Sequence, residues 1–192
     1  MASHNRRRLR RTAVFALLLL AACFCSAMSA VGCMGPPKGL EPVQGFEPDR
    51  YLGTWYEIAR LDHRFERGLS NVTASYSWRN DGAIRVVNRG YDPKKGKWRQ
   101  AEAVARSISS GDVASLKVRF FWPFWGGYHV IGLDKQDYQH ALVTSHTRSY
   151  LWILSRRPDL DEGTLLSLIA QARRWGFDTE ALIYVKHDMP AE

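Results

Sequence analysis

From about residue 49 onward the chain consists of short segments in which apolar and polar positions alternate. In the stretch 71–78, Val72, Ala74, Tyr76 and Trp78 alternate with serine and threonine. Strict alternation predicts a β-strand with one buried face. The turn signal Asn80-Asp81-Gly82 then predicts a tight hairpin. Read in this way, the predicted strands cover residues 55–60, 71–78, 84–89, 98–107, 114–121, 128–133, 141–145 and 150–155.

Eight strands at hairpin spacing predict an all-β fold, an eight-stranded antiparallel up-and-down β-barrel. An open sheet of this size would leave two unpaired edges, and closure into a barrel removes them. A barrel of eight strands encloses an interior that can hold one small ligand. The sequence shows no internal repeat and no second domain.

One C-terminal α-helix and a short final strand are predicted after the barrel. Asp159 or Asp161 is suited to cap the start of the helix, and Gly176 is suited to end it. The final strand is expected over residues 182–185. The predicted apolar face of the helix consists of Leu165, Leu166, Leu168, Ile169 and Ala172.

The N-terminal 32 residues have the pattern of an export signal. A cluster of five arginines within residues 6–11 precedes an apolar run over residues 13–22. That run is too short to cross a bilayer, although the longer stretch 13–32 leaves an uncleaved anchor helix as an alternative. We therefore predict a signal peptide over 1–32, a flexible tether over 33–48, the barrel over 49–187 and a tail over 188–192.

The three cysteines, Cys23, Cys25 and Cys33, all lie at or near the end of this signal. The predicted barrel therefore has no disulfide, no thiolate metal site and no cysteine nucleophile. Their position indicates lipid attachment instead. Cys33 is favoured because a Pro/Gly-rich stretch follows it, whereas Cys23 matches the lipobox pattern better and remains the alternative. A plain secretory signal is a third interpretation.

The charge of the chain does not indicate nucleic-acid binding. The net charge is +8, and removing the five leader arginines lowers it to +3. The arginine cluster is better explained by membrane targeting than by phosphate contacts with nucleic acid.

An apolar lumen favours an apolar ligand, although a slip of one residue in register would exchange the two faces of a strand. Cationic side chains near the open end could hold a ligand head group, with solvated surface as the alternative: these are Arg64, Arg67 and Lys117. Trp122, Phe124 and Trp125 form an aromatic loop that either dips into a membrane, gates the ligand or packs over the barrel. The candidate lumen residues are Tyr76, Trp78, Val86, Leu116, Val118, Phe120 and Tyr128.

Three short motifs on these predicted elements resemble those of the lipocalin family. Gly53-Thr54-Trp55 resembles its Gly-x-Trp motif, Asp137-Tyr138 its second motif, and Arg156 the arginine of the third. The resemblance covers residues 46 to about 187 and is strongest to the bacterial, outer-membrane lipoprotein branch. It implies that these residues are structural and that Arg156 packs over the Trp55 ring.

The resemblance implies non-covalent binding of a fatty acid or lysophospholipid at the outer membrane of a Gram-negative bacterium. The protein would face the periplasm or the cell surface and serve membrane maintenance. We expect neither a cofactor nor a metal, and the sequence leaves homodimer formation open. The alternatives are an enzyme with chemistry in the lumen and a haem-binding barrel that uses His129.

Overall fold

The computed structural model describes residues 34–109 and 112–189. It confirms the eight predicted strands and adds a short helix before them. The elements are α1 (Pro48–Tyr51), β1 (Gly53–Arg60), β2 (Ser70–Trp78), β3 (Ile84–Asp92), β4 (Lys97–Ser107), β5 (Ser115–Phe121), β6 (Phe124–Leu133), β7 (His140–Thr144), β8 (Leu151–Ser155), α2 (Glu162–Arg174), a 3-10 turn (Thr179–Ala181) and β9 (Ile183–Tyr184).

The eight long strands form a closed antiparallel barrel, as predicted. Each strand pairs with its neighbour in sequence, and β1 closes the ring because it pairs with both β2 and β8. Trp55 lies opposite Ala74 on one side, and Glu57 lies opposite Leu154 on the other. The short strand β9 pairs with the C-terminal end of β1, at Ala59 and Arg60.

The order of the strands defines two ends of the barrel. At the closed end, α1 leads into β1, and the β2–β3, β4–β5 and β6–β7 connections lie there. At the open end lie the β1–β2, β3–β4, β5–β6 and β7–β8 connections.

The closed end is sealed by the motif residues. Trp55 is fully buried, and the guanidinium of Arg156 lies 4.0 Å from the centroid of its ring, which is the pairing that the family resemblance implies. Gly53 has a φ of +91° and packs against Arg156, so a side chain there would be strained. The hydroxyl of Tyr138 accepts a hydrogen bond from the backbone of Glu47 (3.0 Å). The neighbouring Asp137 is exposed, and its backbone N–H donates to Asp134 (3.3 Å).

Helix α2 packs on the outside of the barrel and creates a second core. Its buried residues Leu168 and Ala172 join a cluster that includes Leu142 and Ile153 of the barrel wall. Asp161, not Asp159, caps the helix: its carboxylate accepts a hydrogen bond from the backbone of Thr164 (2.8 Å).

The end of α2 also follows the expectation, because Gly176 takes a left-handed conformation there, with a φ of +79°.

The predicted tether over 33–48 is not a free chain from Leu40 onward. Leu40 and Phe46 are buried, and Val43 forms backbone hydrogen bonds to Val130 within β6 and to Ala114, the residue before β5. Its N–H donates to Val130 and its carbonyl accepts from Ala114, each at 2.9 Å. The sequence prediction failed here because three isolated apolar residues between prolines and glycines show no period. The signal peptide, Cys23 and Cys33 lie outside the described residues.

The first two residues of the predicted tail are held by hydrogen bonds. The Asn71 side chain donates to Asp188 (3.1 Å) and accepts from the backbone N–H of Met189 (3.0 Å). Residues 190–192 lie outside the described part of the chain.

The aromatic segment predicted as a loop over 122–127 is mostly strand. Strand β6 already begins at Phe124, and Phe121 pairs with Phe124 in a tight β5–β6 hairpin. The two glycines in this segment led the sequence prediction to start the strand too late.

Candidate functional site

The interior of the barrel holds a cavity of about 690 Å³ that reaches the open end. This volume lies within the range of 300–1,000 Å³ typical of small-molecule sites. Space arises because small residues of three alternate strands, β2, β4 and β6, face the lumen, namely Ala74, Ala101 and Gly126. Aliphatic and aromatic side chains form most of the remaining wall.

Five of the seven predicted lumen residues line the cavity, and two do not. Trp78 is the last residue of β2, lies at the closed end beyond the cavity floor, and is 48% exposed. Its indole N–H donates to Asp49 (2.6 Å). Leu116 is buried in the core at the closed end and lies outside the cavity wall. The residues in the wall are Tyr76, Val86, Val118, Phe120 and Tyr128.

Two tyrosines, Tyr76 and Tyr128, line the floor of the cavity, and Tyr51 lies beneath them outside its lining. The hydroxyl of Tyr128 lies 2.7 Å from that of Tyr51 and 2.8 Å from that of Tyr76. Burial raises the pKa of all three hydroxyls well above the ordinary value. The floor is therefore uncharged and hydrogen-bonded within itself.

A buried polar cluster interrupts the apolar wall on the side of β1. Arg60 is 1% exposed and donates to the carboxyl group of Glu57 (2.5 Å) and to the backbone carbonyl of Glu66 (2.8 Å). The carboxylate of Glu66 lies 2.9 Å from Nε2 of His63 and accepts from the indole of Trp152 (3.1 Å). Glu57, His63, Glu66 and Trp152 all line the cavity.

The pKa values of the two carboxyl groups in this cluster are shifted in opposite directions. Burial and the neighbouring charge of Glu66 raise the pKa of Glu57, against the opposing effect of Arg60. The hydrogen bonds from His63, Glu57 and Trp152 outweigh burial and lower the pKa of Glu66. A proton held by this pair therefore favours Glu57, and the negative charge favours Glu66.

The predicted head-group residues are not brought together. Arg64 lines the mouth of the cavity, as does Arg99 of β4. Arg67 instead forms an exposed ion pair with Asp62 (2.7 Å). Lys117 lies outside the cavity wall.

The ammonium group of Lys117 sits 4.9 Å from the centroid of the Trp125 ring. Arg119 approaches the same ring at 4.7 Å.

The histidine invoked for a haem-binding barrel does not reach the cavity. His129 is fully buried outside the cavity wall, hydrogen-bonded to Ser115 (2.8 Å), and burial lowers its pKa. His63 and His146 line the cavity instead. Within residues 34–109 and 112–189, no group of three histidine, cysteine, aspartate or glutamate residues is placed to hold a metal ion.

The polar cluster and Arg99 were missed by the sequence prediction, although a signal for Glu57 was present. Glu57 follows Trp55 by two positions on the same strand, so the two side chains share a face. Once Trp55 is placed inside the barrel, Glu57 must point inward as well. The positions of His63 and Glu66 depend on a loop, whose path carries no periodic signal.

The closed barrel, its sealed end and its ligand-sized interior define a class of ligand-binding proteins, and the sequence places the chain in it. The pattern of the Lipocalin-like domain matches residues 46–187, which span the barrel and α2. The chain therefore belongs to the lipocalin family.

Individual relatives refine this placement. The chain is 50% identical over 172 residues to the outer membrane lipoprotein Blc of Escherichia coli K12, covering 88% of this chain and 97% of the relative. It is 33% identical over 174 residues to apolipoprotein D of Macaca fascicularis, covering 79% and 84%. Insecticyanin of the tobacco hornworm has the same fold, with a TM-score of 0.63, 17% identity and coverage of 80% and 87%. None of the helices in the described residues is both long and apolar enough to span a membrane.

Proposed function

We propose that this lipocalin binds one single-chain lipid, a fatty acid or a lysophospholipid, in its cavity at the outer membrane. The observation that carries the proposal is the cavity itself: a mostly apolar space of about 690 Å³ with an uncharged floor and cations at its mouth. Arg64 and Arg99 supply those cations. A molecule with an apolar chain and an anionic head matches this distribution of polarity.

Burial of the acyl chain supplies the driving force. Each buried CH₂ contributes about 0.8 kcal/mol, so a dozen methylenes contribute on the order of 10 kcal/mol before the costs of immobilisation. That gross value is compatible with micromolar or tighter binding.

The charges in the lumen favour one orientation of the ligand. A carboxylate or phosphate placed deep in the barrel would lose water and lie against the uncharged floor at Tyr76 and Tyr128. The same group at the mouth would lie near Arg64 and Arg99. The acyl chain therefore points toward Tyr76 and Tyr128, and the head group remains at the open end.

The relatives and the sequence support a place at the cell envelope. The Escherichia coli and Vibrio cholerae relatives are named outer membrane lipoproteins. Cys33, with Cys23 as the alternative, is the proposed site of lipid attachment. In that place the barrel transports or stores lipids that membrane maintenance releases, and it binds its ligand without chemical change.

Native mass spectrometry after incubation with a bacterial lipid extract tests this proposal. We expect one adduct per barrel with the mass of a fatty acid or a lysophospholipid. Ala101→Trp should abolish the adduct, because the indole would fill the cavity at mid-height. Glu102→Trp is the matched control, since it adds the same group to the outer face of the same strand.

An adduct that survives in Ala101→Trp would show that the lipid binds elsewhere. A folded native protein without any lipid adduct would reject the proposal. A Soret absorption band in the purified protein would favour haem at His63 or His146 instead.

A further inference from the structure

We propose that the open end of the barrel docks onto an anionic phospholipid surface and that the β5–β6 hairpin dips its tip into that surface. The tip consists of Phe121, Trp122, Pro123 and Phe124 and is called the aromatic tip below. This docking is separate from ligand binding. Of its three supporting observations, only the third, the path of the N-terminal segment, rests on the proposed lipid anchor.

The first observation is the exposure of the aromatic tip. Phe121, Trp122 and Phe124 are 68%, 81% and 77% exposed, and Phe65 on the same rim is 54% exposed. Contiguous apolar surface on a monomer marks a contact site for a protein or a membrane. Aromatic rings, and tryptophan in particular, are enriched where membrane and water meet.

The second observation is the charge around the rim. The β1–β2 and β3–β4 connections have one exposed acidic residue, Asp62. The closed end differs, because its connections carry charges of both signs: exposed Asp81, Asp137, Asp159 and Asp161 lie among exposed Arg79, Lys135 and Arg157. A basic residue near an anionic lipid surface contributes about 1 kcal/mol of attraction. The exposed cations of the two open-end connections and their strand ends are Arg64, Arg67, Lys94, Lys95, Lys97 and Arg99.

The third observation is the path of the N-terminal segment. Val43 is hydrogen-bonded beside Val130, near the closed end of β6. Moving toward the N-terminus, the backbone of Met34 lies against Gly127, so that a Cβ atom added to this glycine would come within 2.8 Å of the Met34 carbonyl oxygen. Gly127 is three residues from Phe124, or about 10 Å along the strand.

The chain therefore approaches the open end as it nears the proposed lipid site. Cys33 is the residue that precedes Met34 in the sequence. Met34, the first described residue, lies on the wall that carries the aromatic tip, so an anchor that precedes it in sequence would pull on that wall. The anchor, the exposed rings and the cations then favour the same orientation toward a bilayer.

A second copy of the chain is a poorer occupant of this surface. Two open ends facing each other would bring their lysine and arginine residues together and would be repelled. An anionic lipid surface complements these cations and accepts the aromatic rings at the same time.

Tryptophan fluorescence quenching by brominated lipids tests the docking. The full chain, anchored in vesicles of phosphatidylglycerol and phosphatidylethanolamine with brominated acyl chains, should lose part of its emission. Trp122→Phe should remove most of the quenched component while it keeps the tip apolar. Trp78→Phe is the matched control, because Trp78 is exposed at the opposite end, and it should leave the quenched component unchanged.

The lipid composition separates the two parts of the proposal. Replacing phosphatidylglycerol with phosphatidylcholine should reduce the quenched component at least twofold, and equal quenching would overturn the role of the basic rim. Quenching that is the same in Trp122→Phe and the native chain would overturn the docking. Concentration-dependent dimerisation in vesicle-free detergent would also overturn the docking if Phe124→Ser abolished it.

Lipid adducts measured by mass spectrometry on the same samples keep this proposal distinct from the proposed function. A quenched tip without any adduct would reject the proposed ligand and leave the docking intact. An adduct without a quenched tip would reject the docking and leave the proposed ligand intact.

Discussion

Arg156 ties both sides of the closed end together through Trp55. Its guanidinium lies 4.0 Å from the centroid of the Trp55 ring and also donates to the backbone carbonyls of Arg50 (2.7 Å) and Thr54 (3.1 Å). One side chain that follows β8 therefore holds both α1 and the start of β1. The sealing of the barrel depends on the planar shape of this group and on its charge.

Arg156→Lys should destabilise the protein by about 1–3 kcal/mol, because lysine keeps the charge but loses the planar stack and the forked hydrogen bonds. Urea unfolding measures the change. Arg157→Lys is the control: Arg157 is exposed, pairs with the exposed Asp159, and should change the free energy of unfolding by less than about 0.5 kcal/mol. Equal effects would show that the stack contributes nothing.

Glu57→Gln should flatten the pH dependence of stability above about pH 4.3, the ordinary pKa of glutamate. In the native protein the raised pKa of Glu57 means that the folded state binds more protons than the unfolded state. Stability then falls as the pH rises toward the folded pKa, by up to about 1.4 kcal/mol per pH unit. Glutamine keeps a hydrogen-bond donor and does not titrate.

Urea unfolding at a series of pH values provides the measurement. The lowered pKa of Glu66 acts in the opposite direction and in a separate window, because that contribution is lost as the pH falls below about 4.3. The control Glu102→Gln removes an exposed carboxyl group and should run parallel to the native protein above this pH. A Glu57→Gln curve parallel to the native one would contradict the raised pKa.

Phe46→Ala should destabilise the barrel by about 3–5 kcal/mol, as expected for a buried phenylalanine. Phe46 is 5% exposed, and its ring centroid lies 5.2 Å from that of Tyr51. Thermal and urea unfolding report the loss. Glu41→Ala, on the same segment but exposed, should change stability by less than about 0.5 kcal/mol. A small effect of Phe46→Ala would restore the interpretation of this segment as a free tether.

Gly127→Ala should release the N-terminal segment from β6 without opening the barrel. The added carbon would come within 2.7 Å of the His129 ring and 2.8 Å of the Met34 carbonyl oxygen, so the segment must move. Tryptic cleavage after the exposed Lys38 should become several-fold faster. Gly126→Ala meets nothing nearer than 3.9 Å and serves as the control. Unchanged cleavage in Gly127→Ala would contradict the described path of the segment.

The strands could be predicted because each shows a period of two between turn signals, as in Val72, Ala74 and Tyr76. The closed end could be predicted from the family motifs, because Trp55 and Arg156 lie on strands or at their ends. Five of the predicted lumen residues line the cavity. The prediction failed where a strand extends past the cavity floor, as at Trp78. Alternation gives the face of a residue but not its height in the barrel.

The mouth and the N-terminal segment could not be predicted in the same way. Arg64, Arg67 and Lys117 are all cationic, yet only Arg64 lines the cavity, because loop paths and local partners such as Asp62 decide where each side chain goes. Phe46 looked like part of a linker because its burial depends on contacts far away in the sequence. Long-range packing of this kind leaves no local pattern.

The paired backbone hydrogen bonds of Val43 have a mechanical consequence. Val43 joins Val130 on one side and Ala114 on the other, and all three residues are remote from the seam where β1 meets β8. A force that pulls on residue 34 is therefore taken up by these two bonds, together with the hydrogen bond from Arg148 to the Lys38 carbonyl (2.9 Å), before it reaches the strands that close the ring. Tension on this end of the chain would therefore leave the shape of the ligand cavity unchanged.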